Sequence, residues 1–340
     1  MHCAGREMDL LRHRHVRFFN RWLSALPSSA AAYMDKRPLI AFFSTCGLDL
    51  LDNLPETRSS LINWLYSMQY IDEKKGTAGF LGGFMIGRVS DGSQCWLDIP
   101  SLGLTYTALA SLVTLGDDLS KAKRNEILKG LKELQLEDGS FASQWLDGEV
   151  DMRFVYCAVC IAYMLDDFST INVDACVSFI RDCFTYEGGV ACLPGAEAHG
   201  GSTFCAVASL ALMNRLKDIE DKRSHLVQWC LFRQESKGFN GRPNKLEDTC
   251  YSFWIGGTLR ILEAFELSSA PLNREFLLNA QNPITGGLGK YDSGSPDPHH
   301  TYLGLAGLSF IDMDNLREVH VPLNISVRAH YALKRIHATW

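Results

Sequence analysis

Two kinds of segment alternate along this chain. Lys121 to Leu136 carries Ile127, Leu128, Leu131 and Leu134 at helical spacing with charged residues opposite. That is an amphipathic helix with one face on a core. Phe154 to Tyr163 is apolar all round, as a helix enclosed by other helices must be. The alternation repeats. Aromatic, small-residue helices run through Tyr106, Tyr156, Phe204, Tyr251 and Tyr302, which keep a common period. Gly-rich turns recur at Gly79-Phe80, Gly139-Ser140-Phe141, Gly188-Gly189, Gly238-Phe239 and Gly286-Gly287, the last four about fifty residues apart. Gln135, Gln234 and Gln281, and more loosely Gln69, close the preceding helices. Each unit therefore pairs an apolar helix with an amphipathic one. In a ring, the apolar set lies inside and the amphipathic set outside. The pattern predicts an all-α fold, an α/α barrel forming one domain over residues 1–340, with residues 1–30 a helical N-terminal extension. A straight solenoid has the same periodicity. Lys74 to Gln94 and Tyr291 to Pro298 read as loops.

Composition adds exclusions. The 340 residues are 46% hydrophobic and 21% charged, with a net charge of -6. This is ordinary globular composition, and the acidic balance weighs against nucleic-acid binding. No run approaches the roughly 18 apolar residues of a membrane span. Met1 to Leu11 is charged and has no apolar signal core. Of the 11 cysteines, Cys157, Cys160, Cys205 and Cys230 sit in apolar helical runs. They read as buried free thiols in a reducing cytoplasm, and Cys157-x-x-Cys160 as core packing rather than a redox pair.

Residues 241 to 254 concentrate the chemistry: Gly-Arg-Pro-Asn-Lys-Leu-Glu-Asp-Thr-Cys-Tyr-Ser-Phe-Trp. Arg242 and Lys245 form an anion clamp. Asp248 and Cys250 offer two ligands to a thiophilic metal, and His299-His300 supplies a third about fifty residues on. Three such ligands leave a fourth position open, the pattern of a catalytic zinc. A metal with an open position beside an anion clamp suggests a reaction between a thiol and a phosphorylated substrate.

Three motifs, His199-Gly200-Gly201-Ser202-Thr203-Phe204, Gly241 to Trp254 and His300-Thr301-Tyr302, resemble the β subunits of the protein prenyltransferases. Similar features run from Arg14 to about Leu323. The resemblance implies an α/α barrel and one zinc ion held by Asp248, Cys250 and His300. It implies that His199, Arg242, Lys245 and Tyr251 stabilise the departing diphosphate. The isoprenoid and diphosphate site would extend over Gly200, Gly201, Pro243, Asn244, Ser252, Phe253 and Trp254. Arg153 would line the cavity, unless it pairs structurally with Asp151. An obligate partner α subunit is also implied.

Two positions select among these enzymes. Lys290, ten residues before His300, stands where farnesyltransferases hold magnesium with a carboxylate. A lysine resembles the type I geranylgeranyltransferases and implies turnover without magnesium. Leu39 matches the farnesyltransferase tryptophan that ends the isoprenoid pocket, and a smaller residue admits a C20 chain. It also departs from the small polar residue common in type I enzymes. The expected function is transfer of a geranylgeranyl group from geranylgeranyl diphosphate to the C-terminal CaaX cysteine of proteins such as Rho/Rac-type small GTPases, often with X as Leu. Alternatives are a farnesyltransferase or Rab geranylgeranyltransferase β subunit and, more remotely, a terpene cyclase or a noncatalytic helical-repeat scaffold. Against the cyclase, neither Asp-x-Asp-Asp nor Asp-Asp-x-x-Asp occurs.

Overall fold

The computed structural model describes residues 9–83, 99–311 and 316–340. Beyond residue 83, the loop expected over Lys74 to Gln94 lies outside the described residues. Six apolar helices form an inner ring: α2 (Arg37–Leu50), α4 (Leu102–Leu115), α6 (Met152–Met164), α8 (Gly200–Leu212), α10 (Tyr251–Ile261) and α12 (Pro298–Leu308). Each packs on the next, and α12 packs back on α2. This closure distinguishes a barrel from the solenoid that the periodicity also allowed. The outer partners are α1 (Arg12–Ser24), α3 (Arg58–Ser67), α5 (Arg124–Leu134), α7 (Val173–Asp182), α9 (Arg223–Leu231) and α11 (Ala270–Asn279). A final helix, α13 (Val327–His337), packs on α4.

The recurring glutamines fasten one unit to the next. Gln69, Gln135, Gln234 and Gln281 accept the backbone N–H of Lys123, Asn172, Ser269 and Leu11 respectively, each just ahead of an outer helix. These orphan donors at a helix start would otherwise need water. The Gln281 link puts α1 in the outer ring beside α11, so within residues 1–30 it fills the place of a repeat helix. The turn glycines act at the same junctions. Gly139, Gly188 and Gly286 have φ of +89°, +99° and +71°, and a Cβ there would lie 2.1–2.7 Å from the carbonyl oxygen of Ala175, His225 or Arg14. Only glycine allows that approach. The fold is not wholly helical. The first Gly-rich turn is a hairpin of β1 (Gln69–Asp72) and β2 (Thr77–Phe80), paired antiparallel with Gln69 opposite Phe80. A second small pair, β3 (Val319–His320) and β4 (Ile325–Ser326), precedes α13.

An aromatic belt links the inner helices. Phe42, Tyr106, Tyr156 and Phe204 follow one another at centroid distances of 5.6 Å; Phe253 lies 4.9 Å from Phe204, and Tyr302 lies 5.7 Å from Phe42. Phe253, not Tyr251, takes the α10 place in this belt. The register follows from the residues that open the inner helices. Ser101, Asp151, His199 and Asp297 cap α4, α6, α8 and α12 with their side chains. Asp248 does the same ahead of α10, accepting the Cys250 N–H at 3.0 Å. Five residues after each cap comes a belt aromatic, and Tyr251 comes too early. Below the belt, the hydroxyls of Tyr156, Tyr106 and Tyr302 donate to the carbonyls of Pro322, Leu323 and Asn324 at 3.0, 3.1 and 2.8 Å. The segment before α13 thus closes one end of the barrel, and the cap residues surround the other.

Candidate active site

The functional side chains gather at the capped end because N-cap positions of parallel inner helices share one level. Asp248 and Cys250 open α10, and His300 sits in the first turn of α12. Ligand atoms of the three lie within 4.8 Å of one another. Asp248 and Cys250 are each 5% exposed. One carboxylate oxygen of Asp248 faces His300 Nε2 at 3.4 Å, and the other faces Lys290 Nζ at 3.5 Å. Burial opposes charge on His300, but hydrogen bonds to Asp248 and Asp297 outweigh it and raise its pKa to about 9. Burial likewise opposes charge on Asp248, yet His300, and after it the Cys250 side chain and amide, hold it down at about 2. The Cys250 thiol is pushed well up, by burial first and then by Asp248. A carboxylate, a thiol and an imidazole drawn this close form a donor set that fits a divalent cation. Such a cation would replace the proton His300 holds.

Beside this cluster, His199, Gly241, Arg242, Lys245, Leu246, Asp248, Tyr251, Lys290 and Tyr291 line a cavity of about 380 Å³. Arg242 is ion-paired with Glu197. His199 is already committed at both nitrogens. Nδ1 accepts the Gly201 N–H at 3.1 Å, so Nε2 carries the hydrogen and donates to the Tyr251 hydroxyl at 3.0 Å. Burial, then Arg242, lowers the His199 pKa, keeping the ring neutral. The Tyr251 hydroxyl accepts that bond and keeps its own hydrogen for another acceptor. Burial raises its pKa, so it stays a donor.

Other expected residues lie apart from this cavity. Arg153 is half-exposed and bonded to Asp151, with Nη2 at 2.5 Å, and to Glu149 at 3.0 Å. This is the ion pair weighed for it as an alternative. Ser252 is buried against α11, where its hydroxyl bonds Asn273 at 2.7 Å. Phe253 belongs to the belt, and Trp254 packs on Phe204 and Phe253 at 5.1 and 5.2 Å. Gly200 donates its N–H to the Gly241 carbonyl at 2.7 Å, tying two site turns together. Pro243 and Asn244 turn the chain between the two cations, with Asn244 at φ +62°. Leu39, in the first turn of α2, is partly buried. Cys157 has its thiol pushed up to about 12 by burial, as core packing requires. His299 packs edge-on against Phe43 and His300 at 5.1 and 4.8 Å and is kept neutral by burial.

Sequence reasoning missed three supporting residues. Glu197 pairs with Arg242. Thr249 is fully buried: its N–H donates to the Lys290 carbonyl at 2.9 Å and its hydroxyl to the Gly289 carbonyl at 2.8 Å. Asp297 holds both the backbone and the ring of His300. The cap spacing from Ser101 to Asp297 would have revealed Asp297.

A closed ring of helix pairs, with an Asp–Cys–His cluster able to hold a metal and a cationic pocket at one rim, fits a prenyltransferase-type toroid. The prenyltransferase alpha-alpha toroid domain model matches residues 10–325. The chain is 36% identical over 333 residues to the geranylgeranyl transferase type-1 subunit beta of Dictyostelium discoideum, covering 92% of this chain and 94% of that one. It is 33% identical over 337 residues to the Arabidopsis thaliana protein of the same name, covering 94% and 89%. Among solved structures, Candida albicans protein geranylgeranyltransferase-I complexed with GGPP superposes with a TM-score of 0.87 at 28% identity, covering 96% of this chain and 99% of that chain. The chain belongs to the prenyltransferase family, on the branch of the geranylgeranyl transferase type-1 β subunits.

Proposed function

We propose that this chain is the catalytic β subunit of a zinc-dependent enzyme that transfers a geranylgeranyl group from its diphosphate to the cysteine of a C-terminal CaaX sequence. The observation that carries this reading is the meeting of Asp248, Cys250 and His300 beside a pocket lined by Arg242, Lys245, Lys290 and Tyr251. The donor set suits zinc, which tolerates mixed O, S and N ligands with a fourth position open. Zinc bound there supplies a thiolate from a substrate cysteine at neutral pH.

The protein side chains serve the leaving group. The sulfur attacks C1 of the allylic diphosphate as the C1–O bond breaks, and diphosphate departs with the electron pair. Arg242 and Lys245 meet the growing negative charge, Arg with a planar fork and Lys as a point charge. Tyr251, held by His199, donates its hydroxyl hydrogen. Lys290 supplies a positive charge where a second metal would otherwise be needed, which favours magnesium-independent turnover and a type I enzyme. The aromatic belt below offers the apolar wall a long isoprenoid requires.

The rim also supports an α subunit as partner. Leu146, Tyr186, Leu193, Leu246, Ile284 and Tyr291 are exposed by 42% to 99% on the turns that lead to the inner helices at the site end. Apolar side chains around the mouth suit a companion chain rather than water. Among the described residues, no helix is long and apolar enough to cross a membrane.

The test is co-expression with a type I α subunit and transfer to a Cys-a-a-Leu peptide, comparing C15 and C20 diphosphates with zinc present and magnesium omitted. Preferential C20 transfer without magnesium is expected. C15 transfer that needs magnesium would move the chain to the farnesyl class.

A further inference from the structure

The contact that fixes His300 has a consequence for how the metal is held. Asp297 ends the loop before α12 and caps it: its Oδ1 accepts the His300 backbone N–H at 2.9 Å. Its Oδ2 lies 2.5 Å from His300 Nδ1. A carboxylate can only accept, so Nδ1 carries the hydrogen in this contact. The same ring turns Nε2 towards Asp248, 3.4 Å away. Asp297 is independently anchored: its own carbonyl accepts the Thr301 hydroxyl at 2.6 Å, and Thr301 Oγ1 accepts the Leu288 N–H at 2.9 Å. That chain of bonds reaches the turn that carries Lys290.

We propose that Asp297 is a positioning residue that keeps the hydrogen of the neutral His300 ring on Nδ1, leaving the Nε2 lone pair aimed at the metal position between Asp248 and Cys250. This rests on the zinc reading above. It also explains why His300 rather than His299 serves. The His299 ring packs edge-on against Phe43, and Asp297 grips its neighbour. Partners of this kind orient a ligating imidazole and raise its basicity, and their loss weakens metal binding on the order of 10- to 100-fold.

The decisive variant is Asp297→Asn. Asn caps a helix as well as Asp does, so the backbone contact survives. Its amide, however, presents an N–H to Nδ1. The ring hydrogen is then driven to Nε2, the atom that must be bare. The full chain, co-expressed with an α subunit, is stripped of metal and titrated with zinc against a competing chelator. The expected result is zinc affinity weakened 10- to 100-fold, with the melting temperature of the metal-free complex unchanged. Asp297→Ala, which also loses the cap, is expected to lower both. Wild-type zinc affinity in Asp297→Asn overturns the inference and leaves the zinc reading intact. So does a loss of affinity matched by a loss of metal-free stability in that variant. A parent complex that binds no zinc sinks the zinc reading itself and this inference with it.

Discussion

Gly241 offers a sharp test of how the proposed diphosphate pocket is organised. It precedes the two cations, and its carbonyl accepts the Gly200 N–H at 2.7 Å. A methyl group there would sit 2.3 Å from Tyr251 Cζ and 2.4 Å from its hydroxyl oxygen. Ordinary carbon contacts lie near 3.5–4.0 Å, so the ring must retreat by roughly 1 Å. The backbone cannot yield easily, because the turn is pinned to α8 by the Gly200 bond. Overpacking of this kind costs about 1–3 kcal/mol. The larger effect falls on function. A displacement of about 1 Å in a positioned group lowers turnover on the order of 100-fold. Gly241→Ala is therefore expected to reduce the rate of the chemical step by about two orders of magnitude in single-turnover transfer, with zinc content unchanged. The substitution acts through the Tyr251 ring. In a Tyr251→Ala background, which removes the ring, Gly241→Ala should add little. A double-mutant cycle with undiminished Gly241→Ala loss in that background would refute the argument.

Two other predictions follow from charge. Lys290→Ala removes the cation 3.5 Å from Asp248 and is expected to slow turnover by about 10- to 100-fold, the scale of a charge-assisted contact. Magnesium is expected to leave the parent unchanged and to recover part of the loss; full parental turnover of the variant in magnesium-free buffer would refute this. At the closed end, His320 lies flat on His330 with centroids 3.6 Å apart, and Tyr163, Lys334 and His337 surround the pair, with Asp166 beside His337. Burial first, then His330 and Lys334, lowers the His320 pKa to about 3. The unfolded chain takes a proton below pH ~6.5 that the native protein refuses. This contribution is thus complete above that pH and is lost as pH falls towards 3. At pH 5 His320 alone accounts for about 2 kcal/mol of lost stability. His320→Phe should flatten the fall in urea-unfolding stability between pH 7 and pH 5, and parallel profiles for the two proteins would count against the stacking argument.

Much of the architecture was legible in the sequence because it is periodic. Burial on all sides or on one side leaves different residue patterns, and Gly-rich turns at a fixed interval mark where one pair hands over to the next. The meeting of Asp248, Cys250 and His300, with Arg242 and Lys245 beside them, was legible because the proposed metal triad and anion clamp need particular side chains at short spacing. Ring closure was not legible in the periodicity, although the family resemblance implied it. Whether α12 meets α2 depends on a small rotation per unit, set by the packing of six interfaces together. Nor was the aromatic register. Tyr251 falls close to the period in the sequence, but the cap at Asp248 sets the frame, so Phe253 enters the belt and Tyr251 is left at the rim to meet His199. The roles of Asp297, Thr249 and Gly241 also wait on tertiary structure, since each acts on a partner brought close by helix packing or by the turns beside it. The sequence determined which groups are available and how they repeat. Helix packing decided which of them face one another, because α8, α10 and α12 lie side by side with their capped ends at one level.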